Sequence, residues 1–359
     1  MRFKSSFLAF ALVLSLSSTA KPILSFFNEM KGPELKVLFS DSTLIPTLKE
    51  LHAEIRMGML DLSPERADIL KKLNAANIPV VAWLLLPEEQ GYWFHSGNGE
   101  VAITRYKEIK QWADAEGIRF SGIGLDLELD MNDLKLIKSS LWRLLIKLPG
   151  RLYDGEAISK GHETYDKLLG IIKADGYPIE SYYASPIKDE TKNGTTSLQR
   201  LTKFLDVETE KEIPMVYTSF MGNADGFLKV YALDLGLQYV ALGSTGGGFD
   251  PTMPTLSWDE LAHDLRIAAL VAEEVHIFSL EGTAQKGFLP KLVDFNYDNP
   301  AAIRPEQVEA VKSIQSKVVL FSTILSHPTL LFTTIIVVIG LILLGIYTLV
   351  KFLVGRVKA

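Results

Sequence analysis

Short apolar runs recur along this chain, each separated from the next by a helical pattern or a loop. Between Lys36 and Leu280 there are eight of them: KVLFS (36–40), EIRMGML (54–60), PVVAWLLL (79–86), FSGIGLDLEL (120–129), IESYYAS (179–185), IPMVYTSF (213–220), LQYVALGS (237–244) and VHIFSL (275–280). Rich in Val, Ile, Tyr and Phe, they predict the buried strands of a parallel sheet. The segments between them carry helix signals. SPERADILKKLNAAN (63–77) opens with a serine cap, a proline at the first helical position and an acidic first turn. SWDELAHDLRIAALVA (257–272) has Ser257 and Glu260 spaced as a capping box. ITRYKEIKQWADAEG (103–117) ends on Gly117, the residue expected just past a helix end.

Strict alternation of strand and helix predicts a parallel sheet with right-handed crossovers. Eight units spread over about 245 residues fit a closed (β/α)8 TIM barrel, whose usual span is about 250. An open doubly wound sheet would want fewer strands and a GxGxxG turn after the first, where this chain has SDSTLIP. In such a barrel the chemistry sits at the carboxyl ends of the strands.

The two ends of the chain differ from the middle. Residues 1–20 combine a positive start (Arg2, Lys4), an apolar stretch from Phe7 to Leu16 and the small residues Ser18-Thr19-Ala20, the pattern of a secretory signal peptide. Thr329 to Val350 is 22 residues without a charge, long enough to cross a hydrocarbon core of roughly 30 Å, and Lys351, Arg356 and Lys358 follow it. The expected organisation is a signal peptide (1–20), a glycoside-hydrolase-like barrel (21–295), a helical stalk and juxtamembrane segment (296–328), a transmembrane helix (329–350) and a short basic cytoplasmic tail (351–359). The protein is then single-pass, with its barrel on the extracytoplasmic side. The stretch 149–161 is expected to be a long insertion, either a lid or an exposed loop.

Composition narrows the chemistry. The chain has 359 residues, 47% of them hydrophobic and 22% charged, enough to build a core. A net charge of −6 gives no electrostatic footprint for nucleic acid, so no such partner is expected. With no cysteine there is no disulfide framework, thiolate metal site or cysteine nucleophile. The histidines show no HExxH or HxH spacing, so neither a metal nor a cofactor is expected. His276, in mid-strand, is expected to be a satisfied core histidine.

The sharpest signal is on the fourth run, where Asp126, Glu128 and Asp130 stand at i, i+2 and i+4 and so share one face of a strand. Carboxylates crowded at a barrel mouth do not all ionise freely, and one with a raised pKa can donate a proton near neutral pH. Cleaving a glycosidic bond needs such a donor. Trp83, Trp93, Tyr182 and Phe278, on or just after strands, offer aromatic faces suited to sugar rings. Glu281 closes the eighth run and is a candidate partner for Glu128 in a two-carboxylate scheme. Asp41 and Asp61, just past the first two runs, read as loop acids that cap helices.

FSGIGLDLE resembles the fourth-strand motif DxxDxDxE of the family 18 glycoside hydrolases, the chitinase-like barrels. Aligned on its end, Glu128 falls on the catalytic acid and Asp126 on the acid that orients the substrate's acetamido group. Ser121 and Gly124 stand where the family has its first two aspartates. Met215-Val216-Tyr217 resembles the family's MxY, whose tyrosine also contacts the acetamide, and Phe278 stands nearest the position of the family's strand-eight tryptophan. The resemblance implies a glycan substrate containing N-acetylhexosamine and a substrate-assisted retaining reaction with Glu128 as acid. Two alternatives stay open: a catalytically degenerate carbohydrate-binding barrel, and a phosphodiesterase-type barrel using the glycine-rich loop Gly243-Ser244-Thr245-Gly246-Gly247-Gly248.

Overall fold

The computed structural model describes residues 21–248, 252–299 and 301–357. The expected signal peptide lies outside the described residues. Eight parallel strands close into a barrel in chain order: β1 (Ile23–Asn28), β2 (Glu54–Gly58), β3 (Val80–Leu84), β4 (Gly122–Asp126), β5 (Ile179–Tyr183), β6 (Lys211–Val216), β7 (Tyr239–Gly243) and β8 (Glu274–Phe278). β1 closes the ring by pairing with both neighbours, Phe26 lying opposite Ile55 of β2 and Ile277 of β8.

Seven of the eight strands fall on the expected runs; the first does not. KVLFS lies largely within a helix, Gly32–Leu38, which has Pro33 in its first turn and Glu34 bonded back to the Lys31 amide. Val37 is 72% exposed there. The true first strand is ILSFFN, which starts three residues past the expected signal peptide. The helix signals hold: the Ser63 hydroxyl accepts from the Arg66 amide, Ser257 and Glu260 form a reciprocal capping box, and Gly117 takes the left-handed conformation at φ 68°. The expected loop at 149–161 is instead helical for most of its length, shared between Met131–Leu152 and Gly155–Ala174. Asp41 and Asp61 are indeed loop acids: Asp41 accepts from the Thr43 amide, and Asp61 accepts from the amides of Gly32 and Ser63 and from Arg66.

Side chains alternate across each strand, so the barrel has two apolar regions. Leu24, Phe26, Ile55, Ile123, Leu125, Val240 and Ile277 face outward and pack under the helices. Phe27, Trp83, Tyr182, Ile213, Met215 and Ala241 face inward. Inside the ring, Arg56 is fully buried and bridges Glu180 (2.9 Å) and Glu274 (2.6 Å). His276 is also buried; among the described residues its ring nitrogens make no hydrogen bond, although Nε2 lies 3.5 Å from Glu274 Oε1. Burial and the nearby Arg56 and Lys211 charges hold its pKa well below the usual imidazole range, so it is a neutral core residue.

The segment read as a stalk forms the helix Pro305–Ser326, which lies against the barrel. Arg304 bonds Asp225 (2.7 Å), Gln315 bonds Asp189 (2.7 Å), and Val311 is fully buried. A Cβ on Gly226 would stand 2.1 Å from the Gln307 carbonyl oxygen, so only glycine permits this approach. After His327 a second helix runs from Pro328 to Val357. Its Pro328–Thr348 part is long and apolar enough to cross a membrane, with a mean hydropathy of 2.8.

Candidate active site

β4 ends at Asp126, and the chain beyond it stays extended because another loop grips it. The segment after β3 folds back so that the Phe94 amide donates to the Asp126 carbonyl (2.9 Å) and the Glu128 amide donates to the Phe94 carbonyl (3.0 Å). This places Glu128 two residues beyond Asp126 on the inner face. Asn98 holds the same loop by donating to the Trp93 carbonyl (2.9 Å). Trp93 is thereby fixed at the rim.

A cavity of about 280 Å³ opens at this end of the barrel, near the lower end of the range for small-molecule sites. Its walls are Trp83, Trp93, Tyr217, Phe220 and Phe278, with Leu129, Leu134 and Met253. Three carboxyls project into it: Glu29, Asp126 and Glu128. Trp83 Nε1 donates to Asp126 Oδ2 (3.1 Å), and the Asp126 and Glu128 carboxyls lie within hydrogen-bonding reach of each other. Tyr217 and Phe278 lie against each other with ring centres 5.5 Å apart.

Burial dominates the electrostatics. It raises Glu128 to about 7. Burial, then the neighbouring charges of Glu128 and Glu29, lifts Asp126 well above the ordinary carboxylate range. Burial also pushes Glu29 up to about 8, partly offset by the Tyr92 hydroxyl that donates to its Oε1. An acid such as Glu128, in an apolar pocket with its proton coming off near neutrality, is the arrangement a general acid requires.

Six of the nine residues singled out in the sequence meet in this cavity: Asp126, Glu128, Tyr217, Trp83, Trp93 and Phe278. Three do not line it. Tyr182 is 1% exposed and sits deeper, edge-on to Phe27, with its hydroxyl donating to Glu180 (2.5 Å). Glu281 is 2% exposed and accepts from Asn28 Nδ2 (2.8 Å) and the Glu29 amide (3.2 Å). It lies under Gly247, where an added Cβ would meet its Oε1 at 2.5 Å, so it supports Glu29 from behind instead of facing Glu128. Asp130 caps the helix Met131–Leu152 through the Asn132 amide (2.9 Å) and pairs with Lys203 (2.6 Å). The period-two reading carried one step too far, because the strand has given way to a helix start by position 130.

Glu29 went unnoticed in the sequence because it ends a strand that was assigned elsewhere. The signal was present: ILSFF, four large apolar residues around Ser25, is followed directly by Asn28 and Glu29. At Gly124 a Cβ would stand 2.3 Å from the Tyr182 hydroxyl, so the tyrosine of the next strand occupies the volume a side chain there would need. Among the described residues, no three carboxylates or histidines converge as metal ligands do.

No family model matches this sequence, and no curated protein matches it. Solved structures share the barrel at low identity. The glycoside hydrolase domain of PgaB (BpsB) from Bordetella bronchiseptica is 9% identical, with a TM-score of 0.46 over 77% of this chain and 98% of that one. A family GH18 chitinase from Chromobacterium violaceum is 13% identical, with a TM-score of 0.43 over 76% of this chain and 83% of that one. A 3-keto-D-glucoside 4-epimerase from E. coli is 16% identical, with a TM-score of 0.42 over 76% and 98%. These likenesses concern the fold, a (β/α)8 barrel.

Proposed function

We propose that this barrel is a glycoside hydrolase acting on a glycan that contains N-acetylhexosamine, exported and held at a membrane by the helix that follows His327. The observation that carries the reading is the placement of Asp126 and Glu128 in one aromatic-walled cavity, with burial keeping Glu128 protonated to about pH 7. Glu128 protonates the glycosidic oxygen as the bond to the anomeric carbon breaks. The carbonyl oxygen of the sugar's own 2-acetamido group attacks that carbon, giving a cyclic oxazolinium intermediate. Asp126, oriented by the Trp83 indole N–H, accepts from the acetamide N–H, and the Tyr217 hydroxyl donates to the acetamide oxygen. Glu128, now a carboxylate, takes a proton from the water that opens the ring, so the anomeric configuration is retained. Trp83, Trp93 and Phe278 supply apolar faces for the sugar.

The glycine-rich loop after β7 does not favour a phosphodiester. Gly247 lies over the Glu281 carboxyl, and Gly248 stands 3.0 Å (from its notional Cβ) from Glu29 Oε2, so an anion at this loop would meet acids.

The test is hydrolysis of fluorogenic N-acetylglucosamine oligomers by the full chain in detergent, wild type against Glu128→Gln and Asp126→Asn. Loss of turnover by about 10²–10⁴-fold in Glu128→Gln is expected for a general acid. Equal turnover in that variant refutes the assignment. Binding without turnover in the wild type shows instead a carbohydrate-binding barrel.

A further inference from the structure

The helix Pro305–Ser326 has an inner and an outer side. On the inner side Val311, Ser322 and Leu325 are buried against the barrel. The Ser197 hydroxyl donates to the Ser322 carbonyl (3.0 Å), and Asn193 Nδ2 donates to Thr323 Oγ1 (2.8 Å). With Arg304 on Asp225 and Gln315 on Asp189, the helix is fastened to the barrel along its length. On the outer side Leu320 and Phe321 are 60% and 52% exposed. Lys317 precedes them by one turn and Ile324 follows by one turn, so the four positions form one stripe.

From Val318 to Val350 the chain carries no Asp, Glu, Lys or Arg, a run of 33 residues. Pro328–Thr348 accounts for 21 of them. At about 1.5 Å per residue that part alone fills a hydrocarbon core of roughly 30 Å. The uncharged residues before His327 are surplus to the crossing and begin where the core ends, at the level of the headgroups. The barrel holds their inner side, so the side left to meet lipid is the one that carries Leu320 and Phe321. Large apolar side chains in the headgroup boundary, beside a lysine whose stem lies on apolar surface and whose ammonium reaches phosphate, are the means by which an interfacial helix binds. Lys192 borders the same groove as Leu320, and no acid follows Glu309 on this helix.

We propose that Leu320 and Phe321 seat this helix in the headgroup region of the bilayer that the next helix crosses, so that the barrel rests on the membrane surface at a fixed height. This rests on the membrane reading of Pro328–Thr348 and is independent of the hydrolase reading. The seat also positions the cavity, because both ends of the helix are tied to loops at the barrel mouth. Arg304 grips Asp225, five residues past the Phe220 that lines the cavity. The helix Ser197–Thr202 leads from Ser322 to Lys203, which pairs with Asp130 (2.6 Å), two residues past Glu128.

The chain has no cysteine, so a single substitution creates a unique labelling site. The full chain with Leu320→Cys, Phe321→Cys, Val37→Cys or Ile339→Cys is labelled with an environment-sensitive fluorophore and placed in nanodiscs of phosphatidylcholine and phosphatidylglycerol. Some of the lipids carry a nitroxide quencher, either on the headgroup or deep in the acyl chain. Val37 is the control for an apolar side chain in water, and Ile339 the control for the span. Labels at 320 and 321 should be quenched about threefold or more above the label at 37, as for groups roughly 5–10 Å into the headgroup boundary. The headgroup nitroxide should act on them more than the deep one, with the reverse order at 339. Unchanged melting curves establish that the labelled chains are folded. Quenching at 320 and 321 no greater than at 37, with 339 quenched, overturns the seat and leaves the span intact. No quenching at any of the four positions overturns both. Shielding of 320 and 321 from aqueous iodide without nitroxide quenching shows that protein, such as a second copy of the chain, covers this side, and it overturns the lipid seat as well.

Discussion

Replacing Glu128 by glutamine should make the protein more stable in mild alkali while it destroys turnover. In the unfolded chain this carboxyl titrates near 4.5, and in the fold near 7, because burial penalises its charge. Between those values the folded state holds a proton that the unfolded state has lost, so stability declines as pH rises through the window and the whole loss is present above pH 7. At 1.36 kcal/mol per pH unit the folded protein is worse off by about 3 kcal/mol at pH 8. Glu128 is only partly buried by its exposed area, and solvent screening discounts that figure, leaving an expected gain of about 1–3 kcal/mol on substituting an uncharged isostere. In a barrel of this size that corresponds to a rise in melting temperature of roughly 2–6 °C. At pH 4.5, where the folded carboxyl is already neutral, the two proteins should melt closer together. The assay is thermal unfolding of wild type and Glu128→Gln in the same detergent at pH 4.5, 6 and 8. A variant that is destabilised at pH 8, or displaced equally at every pH, would refute the claim that this acid is held against its ionisation.

Turnover should fall as pH rises through about 7, because the acid form of Glu128 is the working form; a pH–rate profile in which kcat stays flat to pH 9 would contradict this. Arg56→Met should destabilise the barrel by about 3–5 kcal/mol in urea melts, since Glu180 and Glu274 are left buried without their cation. Gly226→Ala should loosen the helix Pro305–Ser326 from the barrel, because the new methyl would lie 2.1 Å from the Gln307 carbonyl oxygen. The expected cost is about 1–3 kcal/mol, and faster limited proteolysis near residues 300–305 is its readout.

The barrel was legible because its strands are apolar on both faces, and the turn and cap residues between them are local devices that need no tertiary context. What misled at the first strand was a competition between two adjacent segments. KVLFS has apolar residues in a row, but Pro33 and Glu34 start a helix that leaves Val37 in solvent. ILSFFN is more apolar still, yet it comes so soon after the segment read as a signal peptide that it is passed over. That single displacement hid Glu29. On β4 the i, i+2 spacing puts Asp126 and Glu128 on one face, and they do share a cavity, because a loop extends the strand geometry past its last ladder pair. Asp130 was lost to helix capping, a change of local geometry two residues later. Tyr182 was visible as an aromatic, but its part as the filler above Gly124 depends on the side-by-side placement of β4 and β5, which no spacing within one strand reveals.

That filler constrains how the barrel can change. An aspartate introduced at 124 has no room while Tyr182 is present, and shortening Tyr182 first would open a void and take away the hydroxyl that Glu180 receives. Each single step is penalised, and only the two together reach a packed alternative. The interior is therefore locked by a pair of mutually dependent positions, and a lineage carrying this tyrosine would cross a fitness valley before it could build a deeper row of acids.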